Sequence, residues 1–175
     1  GFYVESSGGE GGNNLFTRGI PADGNFRYVS VQEDGLPVFA APECMFMNID
    51  LIVRVDQNID RMESVRGGSA SIFASNAAGG IINYISKTGG NRFGGSAKFS
   101  VGDYGMFRTD LEFGGPISEN LRYHIGGFYR ADNGIRPPNF RANEGGQVKG
   151  NLTYVMKKGH FRVYGKFLQE RNIFY

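Results

Sequence analysis

The sequence predicts a β-rich fold in two textures: an α+β region over residues 1–89, then a run of antiparallel strands over residues 90–175. Three observations carry that expectation. The composition, 28 Gly, 15 Phe and 9 Tyr with 6 Pro and no Trp, suits short strands and tight turns better than helices. Beyond Lys87, apolar and polar residues alternate at period two, the spacing that puts successive side chains on opposite faces of a strand. Between the textures lies Asp60 to Lys87, punctuated by Gly67-Gly68 and Gly79-Gly80, where missing side chains permit close backbone approach.

In chain order, Phe2-Tyr3-Val4 reads as a strand that runs into a Gly/Ser/Asn-rich turn ending at Asn14. Phe16 to Ile20, a loop from Pro21 to Phe26, the alternation Arg27 to Val31 and the turn Glu33-Asp34-Gly35 before Leu36-Pro37-Val38-Phe39 make a strand–turn–strand unit. Ala40 to Asn48 is a loop with soft apolar groups, Cys44 among them. Asn48 then offers an N-cap to a helix whose Ile49, Ile52, Val53 and Ile59 recur near helical spacing. The stretch Asp60 to Lys87 reads as a strand carrying Glu63 and Arg66, a glycine turn, a short Ser/Ala-rich helix, a glycine break and a second strand, Ile81 to Ser86.

Five alternating strands follow, centred on Gly95–Val101, Phe107–Phe113, Leu121–Arg130, Val148–Tyr154 and Phe161–Phe167. Lys98, Arg108, Asp110, Glu112, Arg122, Arg130, Lys149, Arg162 and Lys166 fall on one face and the large apolar residues on the other. A soluble sandwich alternates too, with its apolar face inward, so alternation alone does not select a membrane. Turn lengths discriminate better. Pro116 to Asn120 and Lys157 to Gly159 are short and Ala131 to Gly146 is long, which describes an outer-membrane barrel with short turns on one rim and long loops on the other. The short Gly102 to Gly105 connection obeys that rule only in part. Five strands cannot close, because such barrels need about 8 or more. Gly1 in place of an initiator Met and the lack of a signal peptide also fit part of a longer chain.

Several function classes are excluded. A net charge of +2, with cations spread singly, gives no phosphate-binding surface, so no nucleic-acid partner is expected. The single Cys44 makes no internal disulfide, no His/Cys pair has metal-ligand spacing, and no cofactor is expected. Asp60 and Glu63, three apart on a strand, point to opposite faces, and His124 and His160 stand on different strands with no nucleophile run nearby. The protein is not expected to be an enzyme.

The order Glu63, Arg66, Gly67, Ser69, Gly79, Gly80, Ile82, Asn83, Ser86, Lys87 resembles the closing segment of the plug domain of TonB-dependent outer-membrane transporters. Two further plug signatures lie upstream in the family's order, Arg18-Gly19 and Asp34-Gly35-x-Pro37-Val38. Gly68 stands where the family has Pro, and Ala74 where it has Gly. The resemblance implies an α+β plug domain over residues 1–89, its C-terminal part, followed by the first five of about 22 antiparallel transmembrane β-barrel strands. It implies import of a scarce nutrient, such as an iron-siderophore, cobalamin or an oligosaccharide, in the outer membrane of a Gram-negative cell. The implied partners are TonB with ExbB and ExbD, outer-membrane lipid, the small nutrient, and a surface lipoprotein or another outer-membrane protein. The start of the plug and the segment grasped by TonB are expected to lie outside this sequence.

By the same resemblance, Arg18 and Arg66 pair with glutamates on the inner barrel wall, where scarce water strengthens guanidinium–carboxylate bonds. Gly19, Asp34, Gly35, Pro37, Glu63, Gly67, Gly79, Gly80 and Asn83 are the other plug-motif residues. Ligand contact falls to apical loops: Asn25, Phe26, Arg27 and Tyr28 in one, Phe39 and Phe46 with Cys44 and Met45 in the next. A soluble carbohydrate-binding module and a passive porin stay open as alternatives.

Overall fold

The computed structural model describes residues 2–5, 13–17, 19–20, 28–38, 49–75 and 77–173. They fall into two compact units, one of residues up to Arg54 with Ile59–Ser86, the other of Val55–Asn58 with Lys87–Ile173.

In the first unit, β1 (Phe2–Glu5) pairs antiparallel with β2 (Asn14–Thr17). A second sheet orders β3 (Val29–Glu33), β4 (Leu36–Pro37), β5 (Ile59–Arg66) and β6 (Gly80–Ser86) as β4-β3-β6-β5, with β3 and β6 parallel and the other pairs antiparallel. The core is conventional. Leu15, Val29, Val31, Val53 and Ile82 are buried together, with Phe2, Val38, Ile49 and Tyr84 packed against them. A smaller cluster, Ala70, Ala77 and Ile81 with Val65 and Ala74, seats α1 (Ala70–Phe73), where alanines keep the packing shallow. The expected glycine turn, short helix and second strand are all present.

The helix expected from Asn48 through Ile59 is not. A single 3₁₀ turn, Ile49–Leu51, replaces it, and Ile59 begins β5. Asn48 itself lies outside the described residues. The Asp56 carboxylate accepts the backbone N–H of Asn58 at 2.9 Å, a local turn that competes with helix, and β-branched Ile52 and Val53 add little helix propensity to oppose it.

The second unit is a five-stranded antiparallel meander of β7 (Gly94–Gly102), β8 (Met106–Pro116), β9 (Leu121–Asp132), β10 (Asn143–Met156) and β11 (Gly159–Arg171) in sequence order. All five expected strands are present, at 9 to 14 residues, against the ~9–11 needed to cross a bilayer at a tilt. The long loop is shorter than expected, residues 133–142. Glu144-Gly145 looks like a turn signal, yet the strand pairing continues to Asn143↔Asp132, where the Asn143 amide donates to Asp132 at 2.7 Å.

Register aligns like with like. Ala97, Leu111, Gly127, Val148 and Phe167 stand side by side on one face, and Ser96, Glu112, Gly126, Lys149 and Lys166 on the other. The burial is inverted relative to a water-soluble sheet. Phe99 is 68% exposed and Phe167 67%, whereas Asp110 and Gln147 are 2% exposed. No helix among the described residues is long and apolar enough to cross a membrane, a criterion that does not bear on strands.

Candidate functional site

Two of the plug-type signatures, the Asp34-Gly35 turn and the closing Asn83–Ser86 stretch, far apart in sequence, meet on β6. Asp34, at φ 52°, and Gly35, at φ 83°, form the turn between β3 and β4, where a left-handed backbone favours Asp, Asn and Gly. The Asp34 carboxylate accepts the Ser86 N–H at 2.9 Å, and the Gly35 N–H donates to the Asn83 side-chain oxygen at 3.0 Å. Asn83 thus bolts the turn to β6. Pro37, exposed in β4, pairs with Gln32, a place where a missing N–H costs nothing.

Gly79 and Gly80 serve close packing. A Cβ on Gly79 would lie 2.3 Å from the Thr17 methyl, and one on Gly80 2.7 Å from both the Phe2 ring and the Val65 carbonyl. The Thr17 hydroxyl donates to the Gly79 carbonyl at 2.8 Å, and the Gly79 N–H to the Tyr28 carbonyl at 2.8 Å. Tyr28, expected at a ligand loop, is half-buried at the foot of β3 with its carbonyl in this contact. Gly67 and Gly19 take left-handed φ of 87° and 73°.

Arg66 ends β5, exposed, opposite Gly80. No carboxylate among the described residues pairs with it. Glu63 is engaged elsewhere. Arg61 bridges Asp60 at 2.9 Å and Glu63 at 2.8 Å on the exposed side of β5, across a register shift between Ile59 and Arg61. That irregularity lets one guanidinium reach both acids despite their odd spacing, and the pair of carboxylates raises the Arg61 pKa further. Arg18, Asn25, Phe26, Arg27, Phe39 and Phe46, with Cys44 and Met45, lie outside the described residues.

The second unit holds a buried polar network that sequence reading did not assemble. Val55–Asn58 lies along the polar face of β8–β10. Asp56 Oδ2 accepts from the Gln147 amide at 2.6 Å and from the Asn58 amide at 3.0 Å, and Lys149 Nζ stands 4.0 Å from Oδ1. Arg108 donates to the Val55 carbonyl at 2.8 Å, clasps Asp110 through two bonds of 2.8 Å, and stacks 4.2 Å over the Phe128 ring. Gly126 makes room, since a Cβ there would sit 2.6 Å from Asn58 Oδ1.

Lys87 completes the arrangement. Its N–H donates to the Asn58 carbonyl at 2.7 Å, its carbonyl accepts from Asn151 at 2.9 Å, and its ammonium reaches Glu112 at 3.2 Å. Glu112 also takes the Ser96 hydroxyl and His124 Nε2, each at 2.8 Å. Within the second unit, Val55–Asn58 and Lys87 are therefore joined to the polar face of β8–β10, the Asp56 bonds among them buried and charge-assisted. Asp56-x-Asn58 carries an Asx-turn signal that could have flagged this segment, but its partners Gln147 and Lys149, some 90 residues away, have no local signature.

Comparison with known proteins agrees with this architecture. Residues 1–81 match the family model of the TonB-dependent receptor plug domain. The vitamin B12 transporter BtuB of Vibrio cholerae is 30% identical over 142 residues, covering 78% of this chain and 22% of that protein. The pyoverdine outer membrane receptor FpvA from Pseudomonas aeruginosa PAO1, bound to pyoverdine, superposes with a TM-score of 0.72 at 21% identity, over 95% of this chain and 23% of its own. The siderophore receptor PirA from Pseudomonas aeruginosa gives 0.65 at 23% identity, over 91% of this chain and 29% of its own. The chain thus spans about a fifth of the length of the curated relatives it matches.

Proposed function

The chain belongs to the TonB-dependent outer-membrane receptors, and from that premise we propose that the protein imports a scarce nutrient across the Gram-negative outer membrane, driven through TonB. One observation carries the reading: a plug-type unit with an apolar core adjoins in sequence a sheet whose polar face is buried along β8–β10 and whose apolar face is bare. Such a sheet suits lipid on one side and a plugged lumen on the other. A soluble carbohydrate module has no use for the bare apolar face, and a passive porin none for the plug signatures.

In this reading Arg18 and Arg66 are releasable contacts to glutamates on the barrel wall, and the Asp56, Arg108, Gln147 and Lys149 network is a firmer one. Asn25, Phe26, Arg27, Tyr28, Phe39 and Phe46 are the candidate contacts for cargo. BtuB is named for vitamin B12 and FpvA is seen with pyoverdine; we place the cargo in that broad class, iron-siderophore, cobalamin or a comparable nutrient such as an oligosaccharide. TonB, acting with ExbB and ExbD, is the energising partner, and a surface lipoprotein or another outer-membrane protein is a further candidate.

The test uses the full-length receptor in its outer membrane. Arg66→Ala is expected to make the plug more protease-sensitive and to alter uptake in cells that contain TonB, while uptake vanishes in cells without TonB. Unchanged protease resistance together with unchanged uptake would remove Arg66 from the mechanism, and uptake that persists without TonB would remove the import reading itself.

A further inference from the structure

Lys87, Ser96, Glu112 and His124 come together in the second unit from four places: the residue after β6, then β7, β8 and β9. Glu112 is their common acceptor. Its Oε1 takes the Ser96 hydroxyl at 2.8 Å and the Lys87 ammonium at 3.2 Å, and its Oε2 faces His124 Nε2 at 2.8 Å. An ionised carboxylate only accepts, so Nε2 carries a hydrogen in either charge state of the ring. Protonation of His124 therefore takes place at Nδ1 and leaves the bond to Glu112 intact.

The partners differ in freedom. The His124 and Glu112 side chains are 5% and 9% exposed, whereas that of Lys87 is 33% exposed. His124 and Glu112 stand on paired strands, with Gly114 directly opposite His124, while the Lys87 ammonium ends a flexible four-carbon stem. The surroundings are largely cationic. Around His124 the polar face carries Arg122 on β9, Lys149 and Asn151 on β10, and Arg162 on β11 opposite Thr153. The other carboxylates of this face are engaged: Asp56 is set against Gln147 and Lys149, and Asp110, opposite Lys98, is clasped by Arg108. A proton on His124 thus sets two cations on a carboxylate that had balanced one.

We propose that His124 is a proton-sensing residue that weakens the hold of Glu112 on Lys87 in acid, at the point where the chain leaves β6. With a neutral ring the Lys87–Glu112 pair is balanced, and it anchors a residue whose N–H donates to the Asn58 carbonyl at 2.7 Å and whose carbonyl accepts from Asn151 at 2.9 Å. With a charged ring, the buried imidazolium keeps the carboxylate because it has nowhere to swing, and the ammonium, repelled at close range, turns to water. Lys87 then keeps its backbone bonds and loses its side-chain anchor. The hold is tight at neutral pH and loose in acid, whatever the receptor carries.

The experiment measures amide hydrogen exchange over residues 84–92 in the full-length receptor in detergent, as protection factors corrected for the intrinsic rate at each pH. Wild type is expected to lose protection about three- to fivefold between about pH 7.5 and about pH 5.5, the range in which imidazoles ordinarily charge and the scale of a part-exposed ion pair. His124→Gln keeps an N–H donor for Glu112 but takes up no proton, and its protection should stay at the neutral-pH level throughout. Lys87→Met should show low protection at both ends of the range. His160→Gln, at the start of β11, should reproduce the wild-type profile. Flat protection in wild type, or a gain of protection in acid, would overturn the proposal. So would a wild-type profile in His124→Gln, which would assign the proton to Glu112 instead. Should His124→Gln fail to fold, Lys87→Met still decides: a fall in acid that persists without the ammonium means that the proton acts elsewhere.

Discussion

The two units solve opposite packing problems with the same residue types. In the plug unit, Leu15, Val29, Val31 and Ile82 are buried and Asp60, Arg61 and Glu63 face outward. In the sheet unit, Asp110, Gln147 and Lys149 are buried, and Phe99, Val101 and Phe167 are bare. The contrast shows that a hydrophobic pattern specifies which residues share a face and leaves open which face is covered; the surrounding solvent decides that. Water on the outside drives apolar groups in, whereas hydrocarbon removes the driving force and lets the polar face turn inward.

The largest effects should come from swapping the two rules. Ile82→Ala removes buried volume from a water-driven core and is expected to cost about 2–5 kcal/mol. Leu111→Ala, nearly as large a truncation at a position 49% exposed, should cost well under that, because its side chain leaves lipid-facing surface rather than a core. Leu111→Arg reverses the outcome, at about 2–4 kcal/mol for a cation near the bilayer midplane. Urea titration of the full-length receptor refolded into lipid measures all three. Equal costs for Ile82→Ala and Leu111→Ala would break the comparison and restore a water-soluble sheet.

A second effect tests where the two rules meet in one segment. Within Val55–Asn58, Asp56 and Asn58 are polar and buried, with Asp56 set among Gln147, Asn58 and Lys149. Asp56→Asn keeps the shape but removes the charge from bonds of the kind worth about 1.5–3 kcal/mol, and a loss within that range is expected. Asp56→Leu should cost more, since it leaves the Lys149 ammonium buried without its carboxylate. Hydrogen exchange of the 55–58 amides gives the readout. Unchanged protection in Asp56→Leu would mean that the segment is held by the Arg108–Val55 bond instead.

How much of this was legible depends on whether the cause is local. The five strands, their alternation and the glycine-flanked β5–α1–β6 segment could be read because period, turn chemistry and strand length are written in consecutive residues. The Asp34–Ser86 and Gly35–Asn83 bonds could be reached only through motif resemblance, since they join residues about 50 apart. The helix assigned over Asn48 to Ile59 failed because Asp56 captured the Asn58 N–H, a side-chain competition that apolar spacing cannot see. The loop end at Asn143 was missed for a similar reason: Glu144-Gly145 looks like a turn until Tyr129 and Arg171 are found holding Glu144 in the sheet. Gln147, only 2% exposed, stands just past that supposed loop end.

The smallest expected effect concerns the feature that looks most like a site. Arg61 clasps Asp60 and Glu63 at 2.9 and 2.8 Å, and Glu63 belongs to the plug signature. All three side chains are half exposed or more, so water competes for each charge and ordering three long side chains costs entropy. Arg61→Ala in the full-length receptor is therefore expected to leave the plug's thermal midpoint unchanged within error at physiological salt, with any small difference vanishing at high salt. A clear, salt-independent drop would mean that the cluster is covered in the assembled receptor, and would move Glu63 from the solvent-facing group of plug residues into the buried, charge-assisted group that Asp56 represents.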